Sequence, residues 1–203
     1  MVQIYLISPP QIELKDFSLK LEKALKTGLI PVFQLRLKNY SSLEVKKFSK
    51  EIKKICENNN CLFLLNDFHE IAMEVGASGV HVGIEDKKIL QIRQNSPKNF
   101  IIGASCYDSK HLAMVAGEQG ADYISFGAFF ESKTKISRGK PSLEILNWAS
   151  EILNLPIVAI GGINDKNCVD LIKNGADFLA VISYVWQHPQ GVEVALKKLR
   201  NRF

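Results

Sequence analysis

The sequence predicts a (β/α)8 barrel, the TIM-barrel architecture, as one domain over residues 1–203. Three observations predict it. Eight short runs rich in β-branched and aromatic residues alternate with longer stretches of helical period. The intervening stretches are long enough for crossover helices, which makes successive strands parallel. A Gly-Ala-Ser/Asp signature recurs before three of the runs, as Gly76-Ala77-Ser78, Gly120-Ala121-Asp122 and Gly175-Ala176-Asp177.

In chain order the predicted strands are VQIYLI, PVFQLRL, CLFLLN, GVHVG, FIIGAS, DYISFG, PIVAIG and DFLAVIS. Helical stretches such as 42–58, 108–119 and 165–174 separate them. The glycine of each repeat is placed to end a helix in the left-handed conformation and release the chain into a strand. An open, doubly wound sheet would show the same alternation, but no Gly-x-Gly-x-x-Gly fingerprint follows the first run. A chain of 203 residues can bury one large core and leaves no room for a second domain beside a barrel.

A hydrophobic share of 46% and a charged share of 23% match an ordinary globular protein. The net charge of +5 comes largely from solvated helical faces such as Lys46, Lys47, Lys50, Lys53 and Lys54. With no RNA-binding motif and no basic strip interleaved with aromatics, small anionic substrates are expected and nucleic acid is not. Cys56, Cys61, Cys106 and Cys168 form no Cys-x-x-Cys pair and no zinc spacing, so they read as buried or incidental thiols. No run of 18 apolar residues occurs and the opening segment lacks a basic leader. No membrane association and a cytoplasmic location are therefore expected.

Barrel sites are built where the strands end, at their carboxyl termini. On the second strand Gln34, Arg36 and Lys38 recur at every second position, which in an extended chain points three polar groups one way. The third strand ends in Asn66-Asp67, and Asp86 follows the fourth. The two carboxylates could perform acid–base work or hold Mg²⁺, which takes oxygen ligands and bridges to phosphates, but each could instead cap a helix. His81 lies beside an apolar run and reads more readily as a satisfied core group than as a base. Ser105 closes the fifth strand as a hydroxyl donor or a helix cap. The long polar connection after the sixth strand carries Ser132, Lys133, Thr134, Lys135 and Arg138, groups suited to phosphate oxygens. Gly161-Gly162 after the seventh strand and Ile182-Ser183 after the eighth occupy the place where barrels bind phosphate through backbone N–H groups.

From QLRLK through LLND, GVHVGIED, GAS and GADYISFGAFFESKTK to VAIGGIN and GADFLAVIS, nearly the whole chain resembles the thiamine phosphate synthase family. The resemblance implies an enzyme that couples an aminopyrimidine diphosphate to a thiazole phosphate and releases pyrophosphate. It implies a pyrimidine diphosphate held by Gln34, Leu35, Arg36, Leu37, Lys38, Asn66, Ser105 and Lys135, with Arg36, Lys38, Ser105 and Lys135 as catalytic groups. Mg²⁺ would sit on Asp67 and Asp86, and the thiazole phosphate on Ser132, Lys133, Thr134, Gly162, Ile182 and Ser183. The chain departs from the family pattern at Ile84, where Gln is usual, at Ala128 and Glu131, where prolines are usual, at Ser132 for Thr, and at Tyr107, often His. Two other readings compete. A related thiazole tautomerase shares the phosphate-binding end, but commonly carries a His where Ala128 stands; a binding barrel would keep that end without turnover. The oligomeric state is not legible.

Overall fold

A computed structural model describes residues 2–83, 88–131 and 139–203. The strands are β1 (Gln3–Ile7), β2 (Val32–Leu35), β3 (Leu62–Asn66), β4 (Gly79–Gly83), β5 (Ile101–Tyr107), β6 (Tyr123–Phe126), β7 (Ile157–Ile160) and β8 (Phe178–Val181). They pair in sequence order, all parallel, and β1 closes on β8. Between and after them lie α1 (Leu14–Leu25), α2 (Ser42–Glu57), α3 (His69–Val75), α4 (Lys88–Asn95), α5 (Lys110–Glu118), α6 (Glu144–Ile152), α7 (Cys168–Lys173), α8 (Ser183–Trp186) and α9 (Val192–Arg200). The predicted closed barrel and each predicted strand are present, with shorter ends in most cases. The exception is β5, which runs two residues past Ser105 and carries a register shift between Ser105 and Tyr107.

Alternation along each strand separates two apolar layers. Ile4, Leu6, Phe33, Leu35, Phe63, Leu65, Val80, Val82 and their counterparts face the helices and form the main core. Tyr5, Ile7, Val32, Leu64, Tyr123, Val158 and Ala180 fill the barrel interior. The helices dock because their apolar stripes match that outer layer: α2 buries Val45, Ile52 and Cys56 while a Ser41–Glu44 capping box satisfies its first turn. Trp186 lies over the closure, its Nε1 donating to the Ile7 carbonyl at 2.6 Å and its ring 4.9 Å from that of Phe17. All four cysteines are free and buried.

The Gly-Ala-Ser/Asp repeat has a common structural meaning. Gly76, Gly120 and Gly175 take positive φ, and the following Ala77, Ala121 and Ala176 donate N–H back to Ala72, Ala116 and Leu171 across the helix end. The third residue then clips two strands together. The N–H groups of Ser78, Asp122 and Asp177 donate to the carbonyls of Phe63, Ile102 and Ile157. Their side-chain oxygens accept from the N–H groups of the same three residues at 3.1, 2.7 and 2.8 Å. Each even strand from β4 onward is thus fastened to the odd strand before it at the amino end of the barrel.

Candidate active site

A cavity of about 530 Å³ opens at the carboxyl ends of the strands and reaches down to Tyr5 and Gln34. This size and place suit a small-molecule site. Of the residues singled out from sequence, Gln34, Arg36, Asn66, Ser105, Gly162, Ile182 and Ser183 line it. Tyr107, Ala128 and Glu131 line it too, so three of the departures from the family pattern face the ligand space. Ile84, Asp86, Ser132, Lys133, Thr134, Lys135 and Arg138 lie outside the described residues.

The alternating series on β2 is shorter than expected. Its ladder ends at Leu35, after which Ser8 Oγ accepts from the Arg36 N–H at 2.8 Å and donates to the Arg36 carbonyl at 3.3 Å. The chain then bends: Lys38 N–H donates to the Pro10 carbonyl and Asn39 takes a φ of 65°. Lys38 is consequently exposed and does not line the cavity, while the side chains of Leu35 and Leu37 pack into the outer apolar layer. Any contact those two leucines make with a ligand has to come from their backbone. Arg36 is half-buried, and desolvation lowers its pKa from the ordinary value while the Asp67 carboxylate opposes that shift. The side chain nevertheless stays a cation.

Asp67 is exposed at the rim, in the left-handed region with a φ of 67°, and accepts from Asn66 Nδ2 at 2.5 Å. It does not cap α3, whose N-cap Phe68 makes no side-chain bond. Ser105 is no cap either, since Ser109 caps α5 through the Leu112 N–H. Among the described residues no group of three or more His, Cys, Asp and Glu side chains could hold a metal. Among the described residues Asp67 supplies one hard oxygen donor, of the kind Mg²⁺ takes, near the cation of Arg36.

At the far side of the mouth, Gly161 and Gly162 have φ of 109° and 62°. A Cβ on Gly162 would lie 2.4 Å from the Glu131 carbonyl oxygen, and one on Gly161 would lie 2.3 Å from Ala128 Cβ. The glycines are therefore required by the neighbouring loop, which donates the Phe129 and Phe130 N–H groups to the Ile160 and Gly161 carbonyls. Asn167 Nδ2 donates to the Gly162 carbonyl at 3.0 Å and fixes that peptide. The N–H groups of Gly162 and Ser183 meet no carbonyl among the described residues, and both residues border the cavity.

Between these two ends lies a polar chain that the sequence did not disclose. Gln34 Nε2 donates to Tyr5 Oη at 3.1 Å, Tyr5 Oη and Tyr123 Oη are 2.7 Å apart, and His81 bonds Tyr123 Oη through Nδ1 and Ser105 Oγ through Nε2, both at 2.8 Å. His81 is thus the satisfied histidine expected from sequence. Gly103 makes the room: a Cβ there would fall 1.9 Å from Tyr123 Cζ. Burial pushes both phenols above their ordinary pKa, so both keep their protons. Ser125, Gln187 and His188 are further polar lining residues that the sequence did not point to.

A family model described as thiamine monophosphate synthase matches residues 4–185. A thiamine-phosphate synthase of Rhodospirillum centenum is 41% identical over 194 residues, covering 96% of this chain and 94% of the relative. One of Erythrobacter litoralis is 42% identical over 189 residues, covering 91% and 88%. The chain belongs to the thiamine monophosphate synthase family. A solved thiamine phosphate pyrophosphorylase of Pyrococcus furiosus superimposes with a TM-score of 0.83 at 33% identity, over 99% of this chain and 95% of that one. Membership makes the protein a transferase.

Proposed function

We propose that this barrel couples 4-amino-2-methyl-5-hydroxymethylpyrimidine diphosphate to hydroxyethylthiazole phosphate, giving thiamine phosphate and pyrophosphate in the cytoplasm. The observation that carries the reading is one cavity with two unlike polar ends, a guanidinium at one and backbone amides at the other. At the ends of β2 and β3 stand Arg36 and Asn66, with Asp67 and Lys38 at the rim. Across the mouth, after β7 and β8, stand the amides of Gly162 and Ser183 and the apolar Ile182. Two phosphorylated substrates need two such ends.

In this reading Gln34, Asn66 and Ser105 orient the pyrimidine, with Leu35 and Leu37 contributing backbone. Arg36, Lys38 and Lys135 neutralise charge gathering on the departing diphosphate, while the amino group on the ring stabilises the methylene cation left behind. Mg²⁺ on Asp67 and Asp86, when bound, supplies further charge neutralisation for the leaving group. Ser132, Lys133, Thr134, Gly162, Ile182 and Ser183 hold the thiazole phosphate so that the ring nitrogen lone pair meets the cation. That step depends on placement and calls for no general base. His81 is bonded at both ring nitrogens, to Tyr123 and Ser105, so its lone pair is already engaged within the protein.

The tautomerase reading requires a positioned acid or base, and Ala128 offers neither where that branch commonly has a histidine. The test is pyrophosphate release by the purified protein with both substrates, with each omitted in turn, and with Mg²⁺ chelated. Release that needs all three is expected. No release under any of these conditions, or thiazole isomerisation without pyrimidine, would overturn the reading.

A further inference from the structure

The chain of hydrogen bonds beneath the cavity has a direction, and the direction follows from its buried end. Gln34 Nε2 is a donor only, so the Tyr5 oxygen accepts from it. Tyr5 is buried, and among the described residues its remaining partner is Tyr123. The Tyr5 proton therefore goes to Tyr123 Oη, since any other arrangement leaves it without a protein acceptor among the described residues, at the floor of the cavity, which costs more than an unused lone pair. Tyr123, also buried, has then accepted from Tyr5 and sends its own proton to His81 Nδ1. An imidazole that accepts at Nδ1 carries its proton on Nε2, and that proton goes to Ser105 Oγ. The inner lone pair of Ser105 is now occupied, and its hydroxyl proton is left to point into the cavity.

We propose that Tyr5, Tyr123 and His81 are positioning residues that act in series to present Ser105 to the cavity as a hydrogen-bond donor, selecting a ligand with a lone pair at that place. None of the three needs to touch the reacting atoms. The class of ligand group selected is an acceptor, such as an aromatic ring nitrogen or an anionic oxygen, in preference to an N–H. This inference rests on the coupling reaction only for the identity of that group; the polarity of the chain stands without it. It also gives Gly103 a purpose, since no other residue type leaves the Tyr123 ring where it can reach both Tyr5 and His81. The two buried phenols keep their protons because burial raises their pKa, so the series persists across the neutral range.

The test reads the histidine directly. In long-range proton–nitrogen NMR spectra of the intact protein, with His81 assigned by its loss in His81→Asn, the ring is expected as a single neutral tautomer protonated at Nε2. A ring protonated at Nδ1, or doubly protonated at neutral pH, overturns the proposal whatever the enzyme does. Tyr123→Phe is expected to move the Nδ1 resonance toward that of a nitrogen without a hydrogen bond. Turnover is expected to fall about tenfold, the size of one lost hydrogen bond, with KM for the thiazole phosphate unchanged. Tyr5→Phe leaves every contact of His81 in place, yet should move Nδ1 the same way by less and slow turnover by about threefold, because successive hydrogen bonds polarise one another. No Nδ1 shift in Tyr5→Phe would show that the bonds act independently and would overturn the series. Wild-type turnover in both phenylalanine variants, in an enzyme that makes product, would overturn the positioning role. Absence of product in the wild-type enzyme bears on the coupling reaction and leaves the tautomer result standing.

Discussion

The two ends of this barrel are made on different principles. At the amino end, three copies of one device recur: a left-handed glycine, an alanine that closes the helix, and a Ser or Asp that clips an even strand to the odd strand before it. At the carboxyl end no such device recurs among the described residues. Asp67 and Tyr107 hold positive φ at the ends of β3 and β5, Gly161 and Gly162 do so after β7, and β5 carries its register shift in the same ring. A non-glycine residue in that region costs of the order of 1 kcal/mol. The amino end has one such residue too, Asn60 before β3, so the contrast lies in the repeated clip: the amino end is fastened by a recurring device, while the mouth is shaped residue by residue.

That division can be broken or sharpened by substitution. The largest expected effect is at the mouth: Asp67→Ala should lower turnover by roughly a hundredfold or more, as removal of a charge-handling group commonly does. Its thermal stability should stay close to that of the parent. A variant that loses stability instead would mean that the rim carries structure. Next, Gly103→Ala, in the interior between the ends, forces a methyl group into the Tyr123 ring. Overpacking of this kind costs about 1–3 kcal/mol, to be read from urea unfolding. Asp177→Ala belongs to the amino end. It leaves the Ile157 N–H without its carboxylate and should cost about 1–2 kcal/mol, with turnover at permissive temperature unchanged. A fall in turnover there would breach the separation of the two ends.

The smallest effect is on the pH dependence of stability. Both interior phenols are raised above their ordinary pKa by burial, so the fold binds these protons more tightly than the unfolded chain does. The resulting stability is complete below the unfolded phenol pKa of about 10 and declines as pH rises beyond it. Urea midpoints measured across that range should fall on the alkaline side, and less steeply in Tyr5→Phe. A flat alkaline limb would show that the phenols are not protected.

Much of the amino end was legible because it is periodic. Strand alternation and the glycine repeat are local signals, and they gave the closed barrel, the order of its strands and the helix ends. The clip made by Ser78, Asp122 and Asp177 was visible as a repeat but not as a function, since its partners lie on another strand. The mouth was legible only where a residue type stood at a strand end, as with Asn66, Gly162 and Ser183. Lys38 shows the limit of that argument: alternation along β2 holds only while the ladder lasts, and the ladder ends at Leu35. Tyr5 and Tyr123 passed as ordinary strand aromatics, because the bond between them joins positions 118 residues apart and exists only once the barrel has closed. A tyrosine facing inward on one strand with a glycine facing inward on its neighbour was the signal available.

The clips also bear on the order in which the barrel assembles. They join positions only 15, 20 and 20 residues apart, so each strand pair can be sealed while the rest of the chain is still searching, at little cost in loop entropy. Closure is the distant event, and Asp177 takes part in both. Its carboxylate and amide grip Ile157, and its carbonyl receives the Gln3 N–H at 2.9 Å. The residue that completes the last local pair is thus the one on which the first strand lands.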